Sequence, residues 1–80
     1  MRIDKYLKVS RLIKRRTVAK EACTQGRILI NGKPAKPGSE VSVGDLLELA
    51  FGNSVTKVKI QGIKEHVLKD EATTLYEIIE

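Results

Sequence analysis

Arg2, Lys5 and Lys8 recur every three residues, and Lys14, Arg15 and Arg16 follow as an unbroken basic run. Side chains three apart on a helix lie near one face. The chemistry that this pattern supports is phosphate binding. A guanidinium bonds two oxygens of a phosphate at once, and backbone N–H groups at a helix start already attract anions. A solvated face that aids solubility would account for one such Lys. It accounts poorly for the local charge density. Residues 1–36 hold eleven Lys and Arg against two acids, a net +9, whereas residues 37–80 hold four Lys against eight acids, a net −4. A basic footprint on one part of a small domain is the electrostatic signature of nucleic-acid binding.

Asp4 interrupts the basic face. Two readings stand. A first-turn acid is favoured by the helix dipole, or the carboxylate orients Arg11 or Arg16 for RNA. Single-strand binders offer aromatic stacking platforms, and this chain has only Tyr6, Phe51 and Tyr76. Phe51 and Tyr76 read as core by position. Tyr6 either stacks on a base or packs with Leu7 and Leu12. So few aromatics suit a reader of backbone and shape, as structured RNA requires.

Other chemistries find little support. His66 has no Cys or carboxylate cluster at ligand spacing and reads as a solvated loop histidine, not a metal ligand. Cys23 falls on an apolar helix stripe and reads as a small buried hydrophobe. Ser10, Ser39 and Ser42 lack an obvious base, and Gly26-Arg27 and Gly32-Lys33 match no phosphate-binding P-loop. No cofactor is implied. Glu65, Asp70, Glu71, Glu77 and Glu80 are scattered and read as solvated surface, or as a protein-contact face that keeps RNA off the back of the domain.

The elements that position these residues fit an 80-residue chain that is 41% hydrophobic. That length makes one domain with a small core. It has no apolar run of about 18 residues to cross a membrane. The start carries no apolar signal region, and a lone cysteine forms no internal disulfide. The expected location is the cytoplasm. Ile3, Tyr6, Leu7 and Ser10 at helical spacing predict a first helix over about 2–10. Val18, Ala19, Ala22 and Cys23 form the apolar stripe of a second. Gly26 ends it, and its start is set to within about two or three residues. Ile28-Leu29-Ile30, a type I′ turn at Asn31-Gly32 and an edge strand at Pro34 follow. A loop at Lys36–Ser39 and a turn at Val43-Gly44-Asp45 lead to a strand over Leu46–Phe51. After Gly52-Asn53 comes Val55–Ile60. Residues 61–71 read as a loop with room for a helical turn, and Leu75–Ile79 as a final strand, with helix as the alternative. The fold class is α+β, with two N-terminal helices packed on a small, mostly antiparallel, twisted sheet.

Several runs in order carry a resemblance: Arg2-Ile3-Asp4-Lys5-Tyr6-Leu7, then Arg11, Lys14, Arg16 and Ala19, then Gly26–Gly32, Lys36-Pro37 and Val43-Gly44-Asp45. They resemble the alpha-L RNA-binding motif, the S-four type found in a small-subunit ribosomal protein, in pseudouridine synthases and in some tyrosyl-tRNA synthetases. The resemblance implies a single RNA-binding domain over 1–80, with a motif core over 1–50 and a strand extension over 51–80. The run Leu7–Thr17 further resembles the RqcP-type family of ribosome-associated quality-control factors. That resemblance implies a non-catalytic protein that binds large-subunit rRNA and peptidyl-tRNA. It would support alanine tailing of stalled chains with an RqcH-type partner, act without a membrane, and be monomeric off the ribosome. Carried over by position, Arg2, Arg11, Lys14 and Arg16 would contact RNA, with Arg15, Lys5 and Lys8 beside them and Asp4 in an orienting role. Arg15 stands where many relatives of the motif have a capping Thr or Ser, and it cannot cap through a side-chain oxygen. A heat-shock-type ribosome rescue factor, which would carry a longer basic tail, and the RNA-binding module of a modification enzyme are the alternatives. Generic DNA binding lacks base-reading Asn or Gln on a recognition helix.

Overall fold

The computed structural model describes residues 1–79, and Glu80, one of the acids expected on the surface, lies outside them. Helix α1 spans Ile3–Val9 and α2 spans Arg16–Thr24. Five strands follow: β1 (Ile28–Ile30), β2 (Lys33–Pro34), β3 (Leu46–Phe51), β4 (Ser54–Ile60) and β5 (Tyr76–Ile79), with a 3₁₀ helix over Lys69–Leu75 before the last. They form one sheet of order β2-β1-β3-β4-β5, and every pairing between strands is antiparallel. Pro34 sits on the edge strand, where its missing N–H costs no ladder bond.

Local chemistry sets most boundaries. Gly26 takes φ +74 after α2, with Gly26 N–H bonded to Cys23 O at 3.0 Å and Arg27 N–H to Ala22 O at 2.9 Å. This pair of bonds is a Schellman close. Asn31 and Gly32 take φ of 52 and 82, as the hairpin turn requires. The Asn31 side chain also accepts from Leu46 N–H at 3.0 Å and donates to Asp45 at 3.2 Å, which joins the hairpin to the β3 start. Asp45 in turn accepts from Ser42 N–H at 2.8 Å.

The core lies between the helices and one sheet face. Ile3, Tyr6 and Leu7 of α1 and Ala19, Ala22 and Cys23 of α2 meet Ile28, Leu47, Leu49, Val58 and Ile60. Small side chains on α2 let the two helices approach closely. In β3 and β4, Glu48, Lys57 and Lys59 alternate with these and take the opposite face. Tyr6 is fully buried, and its hydroxyl donates to Leu75 O at 2.7 Å. That settles the open reading of Tyr6 in favour of packing. Burial, then the neighbouring Tyr76, raises its pKa well above the ordinary tyrosine value.

Three expectations need correction. Val18 is exposed, so the α2 stripe is narrower than its apolar residues suggest. Phe51 is exposed too: it ends β3 at the rim of α2, in a shallow depression with Val18, Ala22 and Arg27. Tyr76 is half-buried against the core. Finally, Leu75 closes the 3₁₀ helix and β5 starts one residue later. Ala72 and Leu75 are both buried, and side chains three apart line up on a 3₁₀ helix. Glu71 reaches back to Leu68 N–H at 3.2 Å, and Thr74 donates to Glu71 O at 2.6 Å.

Candidate nucleic-acid interface

The α1 start is tied to the segment before β3, and this fixes Arg2. Ile3 N–H bonds Ser39 O at 2.7 Å, Val41 N–H bonds Met1 O at 2.9 Å, and the terminal ammonium meets Glu40 at 2.8 Å. Arg2 pairs with Glu40 in an isolated bridge. Its guanidinium passes Gly38, where a Cβ would lie 3.8 Å from Nη2.

Asp4 is fully buried and holds two arginines. Arg2 Nη2 donates to Oδ2 at 3.1 Å, Arg16 Nη2 donates to Oδ1 at 3.3 Å, and Lys5 N–H donates to Oδ1 at 2.7 Å. The Arg2 and Arg16 side chains stay 50% and 42% exposed, so each guanidinium keeps an edge in solvent. Two cations on one anion leave a net positive centre. The carboxylate fixes their separation, which removes rotamer entropy before a ligand arrives. Arg16 Nε is buried, with no hydrogen-bond partner among the described residues. Asp4 is a first-turn acid of α1 that accepts a backbone N–H, and it also holds Arg16 and Arg2. Arg11 lies elsewhere.

The other basic residues divide between two places. Lys8, Arg11 and Lys14 are exposed and line an open groove of about 500 Å³. Arg11 takes φ +63 just after α1, with its N–H on Lys8 O at 3.1 Å. Arg15 is the exposed N-cap of α2, in extended conformation and without a side-chain cap. Lys14 and Arg15 thus precede an α2 first turn that holds no acid. Among the described residues, no ion pair involves Lys8, Arg11, Lys14 or Arg15. Lys5 is not free like its neighbours: its ammonium bonds Glu65 at 2.8 Å. That hydrogen bond, with the Lys5 charge, holds the Glu65 carboxyl below its ordinary range.

Glu65 therefore belongs to the basic face and not to a scattered acidic surface. With His66 and Val67 it forms the far wall of the groove. Nothing local in residues 61–68 signals this, because the contact joins positions sixty apart. Cys23 is buried, and burial followed by the Asp4 charge raises its thiol pKa. It is a core residue.

The S4 domain family profile matches residues 1–47. Over 98% of this chain and 89% of its own length, an RQC P-site tRNA stabilizing factor from Halalkalibacterium halodurans is 59% identical. The chain belongs to the family of RQC P-site tRNA stabilizing factors, within the S4-domain proteins. The Listeria monocytogenes member is 56% identical over 99% of this chain and 86% of its own. Among solved structures, trimeric heat shock protein 15 of Vibrio cholerae superimposes with a TM-score of 0.91 at 30% identity, over 99% of this chain and 81% of that one. That superposition spans the whole helix-and-sheet arrangement that positions Asp4 in this chain. The α+β fold and the family resemblance read from the opening run and the Asn31-Gly32 turn are both borne out.

Proposed function

We propose that this chain is a non-catalytic RNA-binding factor of ribosome-associated quality control. It holds large-subunit rRNA and a peptidyl-tRNA in the P site, and so supports alanine tailing of stalled chains by an RqcH-type partner in the cytoplasm. The names of its relatives and its S4 domain support the pathway. The observation that carries the RNA contact is the buried carboxylate holding two half-exposed guanidiniums.

In this reading Arg2 and Arg16 grip one stretch of RNA backbone at the fixed spacing that Asp4 sets. Their free edges donate to phosphate oxygens, bonds that are short and strong because both partners are charged. Arg15 and Lys14 continue the contact at the α2 start, and Lys8 and Arg11 extend it along α1. Lys5 contributes through Glu65, which anchors the C-terminal segment beside the face. The domain adds no reaction of its own. It keeps the tRNA in place while the partner brings the next one, by binding energy alone. The whole of residues 1–80 acts as one RNA-binding unit, monomeric off the ribosome.

Co-sedimentation with large subunits carrying peptidyl-tRNA tests this. Arg16→Ala is expected to weaken binding about tenfold, the effect of losing a strong charged contact, while the domain stays folded. An Arg16→Ala variant that co-sediments like the wild type would overturn the assignment. The heat-shock-type rescue reading has the 0.91 TM-score of the Vibrio cholerae structure in its favour. Sequence identity of 30% there, against 59% for the quality-control relative, favours the first reading.

A further inference from the structure

The groove beside α1 is a half-open concavity between two segments of the chain. Its volume of about 500 Å³ lies in the range of small-molecule sites, roughly 300–1,000 Å³. One wall carries Lys8, Arg11 and Lys14, and the other carries His66 and Val67. Val9 and Val67, both half-buried, add apolar surface to the lining. The one acid in the lining, Glu65, is already tied to Lys5 at 2.8 Å.

Both walls are fastened. The turn after α1 is closed by Arg11 N–H on Lys8 O at 3.1 Å and Ile13 N–H on Leu7 O at 3.0 Å. Arg11 holds the left-handed position at φ +63, where Gly would cost least. An arginine kept there places a guanidinium at the lip of the groove in spite of that cost. The opposite segment is held by the Lys5–Glu65 pair. A groove of this volume has room for a base as well as a phosphate. An unpaired nucleotide fills one: its base stacks on histidine or on an arginine plane, and its phosphate meets the cations.

We propose that this groove is a subsite for one unpaired ribonucleotide. Its phosphate lies on Lys8, Arg11 and Lys14, and its base lies against the His66 imidazole, with Val9 and Val67 beside it. The inference rests on the RNA-binding reading above and names what one part of that face recognises. It also gives His66 a role in binding, where its sequence context suggests only a solvated loop.

The test uses two RNA hairpins with the same stem, one fully paired and one with a single bulged adenosine, titrated against the full chain by fluorescence anisotropy. Wild type is expected to bind the bulged hairpin about tenfold tighter, the low end of a base-on-ring contact. His66→Ala is expected to lose that preference, read as the ratio of its affinities for the two hairpins falling from about tenfold to near one. His66→Phe, which keeps a ring and drops the titratable nitrogens, is expected to retain the preference. Equal wild-type affinity for both hairpins overturns the subsite, as does a preference undiminished in His66→Ala. Binding without preference overturns the subsite alone. Failure to bind either hairpin overturns the subsite and the RNA-binding reading together.

Discussion

Asp4 sets the geometry of two of the cations in the proposed interface. Replacing it with Asn raises the net charge by one. If the face worked by charge alone, Asp4→Asn would bind RNA more tightly. Because the carboxylate positions Arg2 and Arg16, the expected result is weaker binding by several fold, with thermal stability lowered by about 1–3 kcal/mol for the lost charged hydrogen bonds. Anisotropy and a melting curve read both, and tighter binding would contradict the positioning role. Tyr6 gives a pH prediction. Its pKa is raised in the folded state by burial and by Tyr76, so folding favours the neutral phenol. That contribution is complete below the unfolded value of about 10 and is lost as pH rises beyond it. Tyr6→Phe should cost about 1 kcal/mol at neutral pH through the bond to Leu75 O. It should also flatten the alkaline fall in stability. Denaturant titrations at pH 8 and above 10 that fall equally steeply for both proteins would contradict this.

At the scale of elements, the turn after α1 holds Arg11 in the left-handed region, and its proposed RNA contact can be separated from its part in the fold. Arg11→Gly relieves a left-handed arginine, worth about 1–2 kcal/mol, against roughly 0.4–1 kcal/mol for a looser unfolded chain. The melting temperature should hold or rise while RNA affinity falls. A fall in both would mean that the arginine is kept for the fold. Gly26→Ala, at φ +74 in open space, should lower stability by about 1 kcal/mol, with RNA affinity little changed. The elements that were legible in the sequence are those ended by such local chemistry: Gly26, Asn31-Gly32 and Val43-Gly44-Asp45 each mark a boundary within a few residues of chain. Val18 and Phe51 misled because hydrophobicity shows what prefers burial, whereas exposure depends on where the neighbouring layer stops. The 3₁₀ helix was half-visible, since its i, i+3 burial needs the β4–β5 register to be known. The interface divides the same way. The candidate basic residues rest on charge density alone. Their sorting into an Asp4-held pair, a groove and a Lys5–Glu65 tie could not be read from it, because those contacts span twelve and sixty positions.

For the molecule as a whole, the cations of the two helices gather on one side, with Glu65 of the more acidic half among them. The helices and their basic residues cover one face of the sheet. Glu48 and Glu77 pair across strands with Lys57 and Lys59 on the sheet. In the proposed function RNA meets the helix side, and binding should weaken with salt by close to one log–log unit per phosphate neutralised. Arg2→Ala with Arg16→Ala should reduce that slope by about two. The most direct measurement is in-cell crosslinking of the tagged protein to RNA, with sequencing of what is bound, for wild type and for that double variant. Wild type should give sharp peaks on large-subunit rRNA together with tRNA, and the double variant should lose both. Peaks spread over messenger RNA, or confined to small-subunit rRNA, or unchanged in the double variant, would contradict the account.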